Sequence, residues 1–385
     1  MAFIEKRGSS RWRARYRAPD GHERSQTFER KVDAERWLAS QAGAMVKGEW
    51  VDPVLGRTSF AEWCKQWQSG LVGLRPTTYE LNVGTARRYL VPRFGSWPLA
   101  RINHSDVKTM VAEEVASARL SNSAIRRQVL VLSTILAAAV ADGRIARNPC
   151  AGVKLPPENA RPMRFLEPVE VVRVAEAAGS HYRPLILTAG FVGLRFGELA
   201  GLKIEKVNLL ARSIRVDEQL VEVGGKLRSG PPKTRAGIRT VTVPAILADV
   251  LSKHFGETPV RASGLAFPST KGTPLRRSTF RRLWRSACTR AGFDGGRLDG
   301  LVFHELRHSA VALAVREGAH PLAIKQRLGH ASIQTTLDTY GGLFPSLDEA
   351  IAEGLDGALS EALAASSRPE TPEIAHISRS EGYRL

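Results

Sequence analysis

The stretch from Phe303 to Tyr340 constrains this chain more than any other. It contains three polar motifs, which are H-E-L-R-H-S at 304–309, L-G-H at 328–330 and D-T-Y-G at 338–341. His304 and Arg307 are three residues apart, and this spacing places both side chains on one face of a helix. Arginine neutralises phosphate charge, histidine transfers protons near neutral pH, and tyrosine can carry a phosphoryl group. The stretch therefore holds the parts needed to attack a phosphate diester through an oxygen nucleophile.

The charge of the chain indicates a polyanionic partner. Lys and Arg together number 56 against 38 Asp and Glu, which gives a formal net charge of +18. A soluble chain this basic is expected to bind nucleic acid. The cysteines are scattered without a C-x-x-C pair, which predicts ordinary reduced thiols rather than a zinc ribbon or a disulfide framework. No apolar run approaches the roughly 20 residues of a membrane span, and no secretory signal opens the chain, so we expect a cytoplasmic protein.

The first fifty residues predict a small domain, 1–50, with a basic surface. The segment R-W-R-A-R-Y-R at 11–17 alternates strictly, so Trp12, Ala14 and Tyr16 share one face of a strand. The opposite face carries four arginines, which are Arg11, Arg13, Arg15 and Arg17. A second strand at 23–28 and a helix at 31–47 complete a sheet of two or three strands on one helix. Its arginines would contact a DNA groove, or, alternatively, would simply protect a solvated edge strand from aggregation.

A helical domain is predicted over 58–150, after a linker at 48–57. Apolar residues recur at three- and four-residue intervals in four segments, near 58–69, 76–90, 104–118 and 121–142. Arg126 and Arg127 are candidates for a DNA-facing side, with ordinary surface charge as the alternative. The proline-rich segment 151–163 is predicted to be an interdomain linker.

A second large domain is predicted from about residue 164. The apolar stretch 183–202 is interrupted by G-L-R-F-G-E-L, which places Arg195 at a turn between two helices. A charged residue in so apolar a context usually has a partner or a ligand, and the simplest partner is Glu198. Predicted strands at 213–216 and 240–243 then flank a glycine-rich segment that carries Lys233 and Arg235 and is directed at DNA.

Two further helices complete the pattern. In the basic segment 271–290, Phe280, Leu283, Trp284 and Ala287 form an inward stripe, while the outward face carries three arginines suited to phosphate contacts, Arg277, Arg281 and Arg285. In the tail, Leu347, Ile351, Leu355 and Leu359 repeat every four residues. This narrow apolar face would pack on its own domain or on a neighbouring protomer. Residues 366–385 are predicted to be disordered.

Four motifs in order, G-L-R-F-G-E-L, H-E-L-R-H-S, L-G-H and D-T-Y-G, resemble those of the tyrosine site-specific recombinases, in particular the phage integrases. The resemblance is strongest over 164–345. It implies a mainly α fold with a small β component (α+β). The domains would be an arm-type DNA-binding domain at 1–50, a helical core-binding domain at 58–150, a mixed α/β catalytic domain at 164–345, and a C-terminal helix with a disordered tail at 346–385.

The resemblance also implies roles for single residues. Arg195 and Arg307 match the pair that holds the scissile phosphate, and His304 and His330 match the positions that complete that site. Tyr340 resembles the nucleophile, which forms a 3′-phosphotyrosyl link. The resemblance also implies that Lys233 donates a proton to the leaving 5′ oxygen, with Lys226 as the alternative. It makes His304 the proton acceptor and His308 a structural helix residue. Because the covalent link conserves the phosphodiester energy, no metal, ATP or other cofactor is expected.

The function implied by the resemblance is strand exchange between DNA duplexes. Such an enzyme would integrate, and also excise, a phage or other mobile element between short attachment sites. It would act as a homotetramer on DNA, with contacts through the C-terminal helix, and would work in the nucleoid with a DNA-bending or directionality factor.

Two alternatives stay open at the level of sequence. H-E-L-R-H also fits the zinc peptidase pattern H-E-x-x-H, with His304 and His308 as ligands and Glu305 as the base. That interpretation leaves Arg195, Tyr340 and the positive charge of the chain unexplained. The other alternative is a catalytically silent DNA-binding protein that keeps the recombinase fold.

Overall fold

The computed structural model describes residues 2–8, 10–19, 21–46, 50–52, 54–158, 162–257, 264–344 and 347–366. The chain divides into two compact units. The first unit comprises residues 1–162 with 222–226, and the second comprises 163–221 with 227–385. The division therefore falls at the end of the proline-rich segment 151–163. Helices with a few short strands make up both units, in line with the α+β class predicted from sequence.

The first unit begins with an antiparallel sheet of order β1-β2-β3, formed by Phe3–Arg7, Arg11–Arg17 and Glu23–Phe28. Helix α1, Lys31–Val46, packs on this sheet. The alternation of β2 buries Ala14 and Tyr16, and the Tyr16 ring lies 5.2 Å from the Trp37 ring of α1. The sequence pattern therefore identified the packed face of β2, whereas the strand β1 was not marked by any comparable alternation.

A helical bundle forms the rest of the first unit. Its helices are α2 Phe60–Ser69, α3 Pro76–Thr85, α4 Val91–Phe94, α5 His104–Ser117 and α6 Asn122–Ala141. A π-helical turn at Ala86–Leu90 connects α3 to α4. Ser121 caps α6 by accepting a hydrogen bond from the Ala124 amide. Within the described residues, α6 alone is long and apolar enough to cross a membrane, but nearly half of it is buried in this core, as in the central helix of a folded domain.

The second unit is built mainly of helices. They are α7 Pro168–Ala177, α8 Arg183–Val192, α9 Phe196–Gly201, α10 Ala245–Glu257, α11 Arg277–Arg290, α12 Glu305–Arg316, α13 Pro321–Leu328 and α14 Ile333–Tyr340. The apolar helix α8 packs against α7, α10 and α12. Because α8 is buried along most of its length, it forms the framework on which the polar motifs of α9 and α12 are placed.

Two small sheets are formed by the chain between α9 and α10. The strands β4 Val207–Asn208, β5 Ser213–Val216 and β8 Arg239–Thr242 form a sheet of order β4-β5-β8. Between β5 and β8, the strands β6 Gln219–Val223 and β7 Lys226–Gly230 form a second sheet. The sequence analysis placed strands only at 213–216 and 240–243, with a glycine-rich basic loop between them, and so did not predict the hairpin of β6 and β7. Gly224 and Gly225, with φ of 56° and 74°, supply the left-handed turn that joins its strands.

Helix α15, Leu347–Ser366, follows the D-T-Y-G motif, as the four-residue apolar repeat predicted. Leu355, Leu359 and Leu363 are exposed on it. The side chains of Leu347 and Ile351, and the tail 367–385 that was predicted to be disordered, lie outside the described residues.

The cysteines are free and buried, at positions Cys64, Cys150 and Cys288. Burial raises the pKa of each thiol to about 12, so all of them stay protonated at neutral pH. This matches the prediction of ordinary reduced thiols.

Candidate active site

The turn between α8 and α9 sets the position of Arg195. Gly193 ends α8 with a φ of 80°, which side chains other than glycine rarely adopt. It also lies against α12, since a Cβ there would be 3.3 Å from the Cβ of Ala310. Glu198 then accepts hydrogen bonds from the backbone amide and from Nη1 of Arg195, both at 2.9 Å. The motif G-L-R-F-G-E-L thus holds one guanidinium close to α12.

Glu198 does not pair with Arg195 alone. This carboxylate is 2% exposed and also accepts a hydrogen bond from Nη2 of Arg239 at 2.9 Å. Arg239 in turn donates through Nε to the carbonyl of Arg327 at 2.7 Å. Burial opposes the charge of Glu198, but the guanidinium of Arg239 and the amide of Arg195 hold its pKa below the usual value. Glu198 therefore joins α9 to β8, and sequence analysis missed the contribution of Arg239.

Replacing Glu198 with alanine is expected to destabilise the second unit by about 3–5 kcal/mol, because two guanidinium groups would lose their buried counter-charge. The free energy of unfolding, from urea titration followed by circular dichroism, is the quantity to measure. A suitable control is Glu176→Ala, since Glu176 and Arg183 form an exposed pair at 4.0 Å whose loss should cost under about 1 kcal/mol. Equal costs for the two variants would contradict the structural role of Glu198.

Arg307 lies in α12 and is 3% exposed. Its Nη1 donates to the carbonyl of Gly193 and its Nη2 to the carbonyl of Leu328, both at 2.6 Å. Burial and the charge of Arg195 lower the pKa of Arg307, although a guanidinium stays charged at neutral pH. Within the described part of the chain, no carboxylate forms an ion pair with Arg307. A buried cation that is held by carbonyl groups, and that has no carboxylate partner among the described residues, is suited to receive an anion.

His330 lies beside Arg307, with its Nε2 3.4 Å from Nη2 of the guanidinium. The other ring nitrogen, Nδ1, is 2.9 Å from the hydroxyl of Thr336 in α14. Gly329 has a φ of 66°, and a Cβ there would lie 2.7 Å from the carbonyl oxygen of Ala236, so the L-G-H motif needs its glycine. Burial, followed by the charge of Arg307, lowers the pKa of His330 to about 4. The ring is therefore neutral at pH 7 until an anion binds.

His304 immediately precedes the first residue of α12 and is exposed. Its ring centre lies 5.1 Å from that of His308. The surrounding protein atoms, and then the charges of His308, Arg307 and Arg195, lower the pKa of His304 to about 4. A neutral imidazole that lies among cations is suited to donate a hydrogen bond to a phosphate oxygen.

Tyr340 is the last residue of α14 and is 2% exposed. It packs in a small apolar cluster with Val311, Val315, Ile324 and Leu328. Its hydroxyl oxygen lies 2.8 Å from Nδ1 of His308. Burial raises the pKa of the phenol, whereas the positive charges of Arg307 and Arg195 act to lower it.

Lys233 lies exposed in the loop between β7 and β8. The turn that follows it, Arg235–Gly237, packs against Gly329, next to His330. This packing brings the Lys233 loop to the L-G-H motif. Lys226 is exposed at the first residue of β7 and is farther along the hairpin from this turn.

The candidate DNA-binding arginines fall into two groups. The exposed ones are Arg11, Arg17, Arg127, Arg235, Arg277, Arg281 and Arg285. The others are half-buried and bonded within the protein, namely Arg13 to Ser25, Arg15 to Glu5 and Glu23, and Arg126 to Glu158. On α11, Phe280, Trp284 and Ala287 are buried, so the inward stripe and the basic outer face predicted from sequence are both present.

The zinc peptidase alternative requires a ligand set that the described residues do not supply. Across those residues, no group of three or more His, Cys, Asp or Glu side chains could hold a metal ion. Nδ1 of His308 is also occupied by the Tyr340 hydroxyl. His304 and His308 thus have no third protein ligand there to close a zinc site.

Comparisons with known proteins relate this chain to integrases. A model of the phage integrase family matches residues 164–344, and a model of the phage integrase N-terminal domain matches residues 3–47. The chain is 28% identical over 296 residues to the ICEBs1 integrase of Bacillus subtilis, which covers 74% of this chain and 79% of that protein. It is also 28% identical over 344 residues to the integrase of Mycobacterium phage L5, with coverage of 86% and 89%.

Solved structures show the same fold. The Tn1549 transposon integrase in complex with transposon right end DNA matches with a TM-score of 0.66 and 20% identity, over 78% of this chain and 100% of that one. A lambda integrase tetramer bound to a Holliday junction matches with a TM-score of 0.56 and 18% identity, over 86% and 94%. The predicted fold class is therefore confirmed.

Proposed function

Because the chain belongs to the phage integrase family of tyrosine site-specific recombinases, we propose that its six candidate side chains form one active site for DNA strand exchange. The protein is a site-specific recombinase that cleaves and rejoins DNA. The proposed site consists of Arg195, Lys233, His304, Arg307, His330 and Tyr340. The observation that carries this proposal is that Arg195 and Arg307 converge on one backbone carbonyl. Nη1 of Arg195 and Nη2 of Arg307 lie 3.5 and 2.6 Å from the oxygen of Leu328, and the side chain of Leu328 packs in the same cluster as Tyr340.

The proposed chemistry follows from the side chains that lie around the Tyr340 hydroxyl. Arg195 and Arg307 hold the non-bridging oxygens of the scissile phosphate, and His304 and His330 donate further hydrogen bonds. The Tyr340 oxygen attacks phosphorus, the bond to the 5′ oxygen breaks, and Lys233 gives that oxygen a proton. The pentavalent transition state gains negative charge, which the preorganised cations stabilise. The resulting 3′-phosphotyrosyl link is opened by a 5′ hydroxyl in the reverse step.

A trapped covalent complex would test this proposal. The substrate is a duplex that carries the attachment site, nicked so that the fragment with the new 5′ hydroxyl diffuses away. We expect a protein–DNA adduct that survives denaturing electrophoresis. Specific binding to the same duplex without any adduct would instead indicate a catalytically silent DNA-binding protein.

Residues 1–50 are proposed to bind accessory arm sites, while the helical and catalytic segments bind the core site at which strands cross over. Arg11 and Arg17 are exposed on the sheet of the first unit, and phosphate contacts of this kind dominate DNA affinity. Deletion of residues 1–50 is expected to weaken arm-site binding by at least about tenfold and core-site binding by about twofold or less, in titrations at fixed salt.

A milder variant controls for damage to the fold. Arg11→Ala with Arg17→Ala should reproduce the selective loss at arm sites. Arg36→Ala removes an exposed arginine of α1, on the other side of the sheet, and should bind both sites normally. Equal losses at arm and core sites in the deletion would refute the role proposed for this segment.

The proposed assembly is a homotetramer on DNA, because one chain offers one nucleophile and recombination needs four cleavages. Leu355, Leu359 and Leu363 are exposed along α15 at four-residue intervals, which suits a contact with a neighbouring protomer. We place the tetramer at the nucleoid in the cytoplasm. It would exchange strands between attachment sites of a mobile element, with a DNA-bending or directionality factor.

A further inference from the structure

We infer that His308 is the proton acceptor for Tyr340 during strand cleavage and the proton donor when the strand is rejoined. The inference deepens the proposed function, since it rests on Tyr340 as the nucleophile. His308 would take the role of proton acceptor that the sequence analysis gave to His304. The sequence analysis had assigned His308 only a structural role in the helix.

The geometry of the phenol carries the inference. Nδ1 of His308 lies 2.8 Å from the Tyr340 oxygen, and among the described residues this is the one hydrogen bond of that hydroxyl. The Tyr340 ring packs in an apolar cluster that includes Val311 and Leu328. A buried phenol needs an acceptor for its hydrogen, and the imidazole supplies one at the distance required for direct proton transfer.

The state of the imidazole suits this task. Burial, followed by the charge of Arg307, lowers the pKa of His308, so the ring is neutral at pH 7 and its Nδ1 can accept a proton. Once it is protonated, the imidazolium stands near the charge of Arg307. A phosphate held by the two guanidinium groups adds negative charge beside both cations, so the substrate itself would favour the protonated ring.

The surrounding helix holds His308 in position. The hydroxyl of Ser309 donates to the carbonyl of Glu305 at 2.8 Å and accepts from the amide of Leu166 at 2.9 Å, which fixes α12 at this turn. His304, by comparison, precedes the same helix, and its ring lies 5.1 Å from the ring of His308. His308 is therefore the imidazole that meets the phenol, and His304 is the one that remains exposed to a substrate.

The proton and electron balance of the step is simple. The Tyr340 oxygen loses its proton to Nδ1 of His308 as its bond to phosphorus forms. The bond between phosphorus and the 5′ oxygen breaks with its electron pair on oxygen, which takes a proton from Lys233. Rejoining reverses each transfer, so neither an oxidant nor a further reactant is needed.

Substitutions that separate proton transfer from hydrogen bonding test the inference. His308→Asn keeps an acceptor oxygen near the position of Nδ1 but removes the base, and His308→Ala removes both. Both variants are compared with wild type in single-turnover cleavage of the nicked duplex. We expect each to lose about 10²–10⁴-fold in rate. The matched control is His320→Asn, which alters an exposed histidine that caps α13 and should keep the wild-type rate.

A second substrate shows whether a substitution affects deprotonation of the nucleophile or protonation of the leaving group. With sulfur in place of the bridging 5′ oxygen, the leaving group needs no proton. Lys233→Ala should recover its rate on this substrate, whereas the His308 variants should remain slow. Free imidazole should restore part of the rate of His308→Ala, which a merely misfolded variant would not show.

Several outcomes would overturn the inference. A rate for His308→Asn within about threefold of wild type would mean that His308 only positions the phenol. Recovery of the His308 variants on the sulfur substrate would assign His308 to the leaving group. Absence of an adduct from the wild-type protein would instead remove the proposed function itself, and the inference with it.

Discussion

Replacement of Tyr340 by phenylalanine is expected to abolish covalent attachment of DNA, with a fall in cleavage rate of more than about 10⁴-fold. The change removes the nucleophilic oxygen and keeps the ring that packs against Val311 and Leu328. It also removes the hydrogen bond to His308, a loss of about 1 kcal/mol in folding stability. DNA affinity should therefore change by less than about twofold, because the exposed phosphate-binding cations are untouched. Adduct formation and equilibrium binding are measured on the same duplex.

Tyr182→Phe is the matched control for this prediction. Tyr182 is partly buried in the same unit, where its ring packs against Phe280 at 6.1 Å. Its substitution should leave cleavage at the wild-type level. Survival of cleavage in Tyr340→Phe would show that the nucleophile lies elsewhere.

Substitution of Arg307 by lysine is expected to slow cleavage by about 10²–10³-fold, although it preserves the charge. The guanidinium donates to two carbonyl groups on different elements, those of Gly193 and Leu328, and still faces the phosphate site. An ammonium group is a point charge without the planar fork that reaches both acceptors. One carbonyl would lose its partner, and the cation would no longer be preorganised for the transition state. Single-turnover cleavage rates, with urea unfolding in parallel, separate the chemical loss from the loss of stability.

Arg316→Lys provides the control on the same helix. Arg316 pairs with Glu167 near the end of α12, and both side chains are largely exposed. We expect a change of less than about twofold in rate and less than about 1 kcal/mol in stability. A similar small effect at Arg307 would contradict its assignment to the phosphate site.

Local patterns in the sequence determined most of the elements that position the site. The alternation in β2 and the apolar spacing of α6 and α11 depend on a few neighbouring residues, so the faces they bury could be predicted. The hairpin of β6 and β7 was missed because its strands are only partly buried and lack a strict alternation. Its clearest signal was the pair Gly224-Gly225, a common two-residue turn between strands.

The residues of the candidate site also fall into those that local motifs identify and those that only the fold brings together. Arg195, His304, Arg307, His330 and Tyr340 stand in motifs that can be recognised without coordinates. Contacts between distant segments cannot be predicted from such motifs, because they depend on how helices and strands pack. Glu198 meets Arg239 across 41 positions, and His308 meets Tyr340 across 32. These two contacts change the roles that the sequence suggested. Glu198 becomes a buried counter-charge shared by two guanidinium groups, and His308 becomes the hydrogen-bond partner of the Tyr340 phenol.

The most direct test of the account is to find the residue that carries the DNA. The adduct from the nicked duplex is digested with nuclease and protease, and the peptide that retains a nucleotide is sequenced by mass spectrometry. We predict a nucleotide linked through a 3′ phosphate to Tyr340 in the peptide that contains D-T-Y-G. A nucleotide on any other side chain, or one linked through a 5′ phosphate, would contradict the proposed nucleophile.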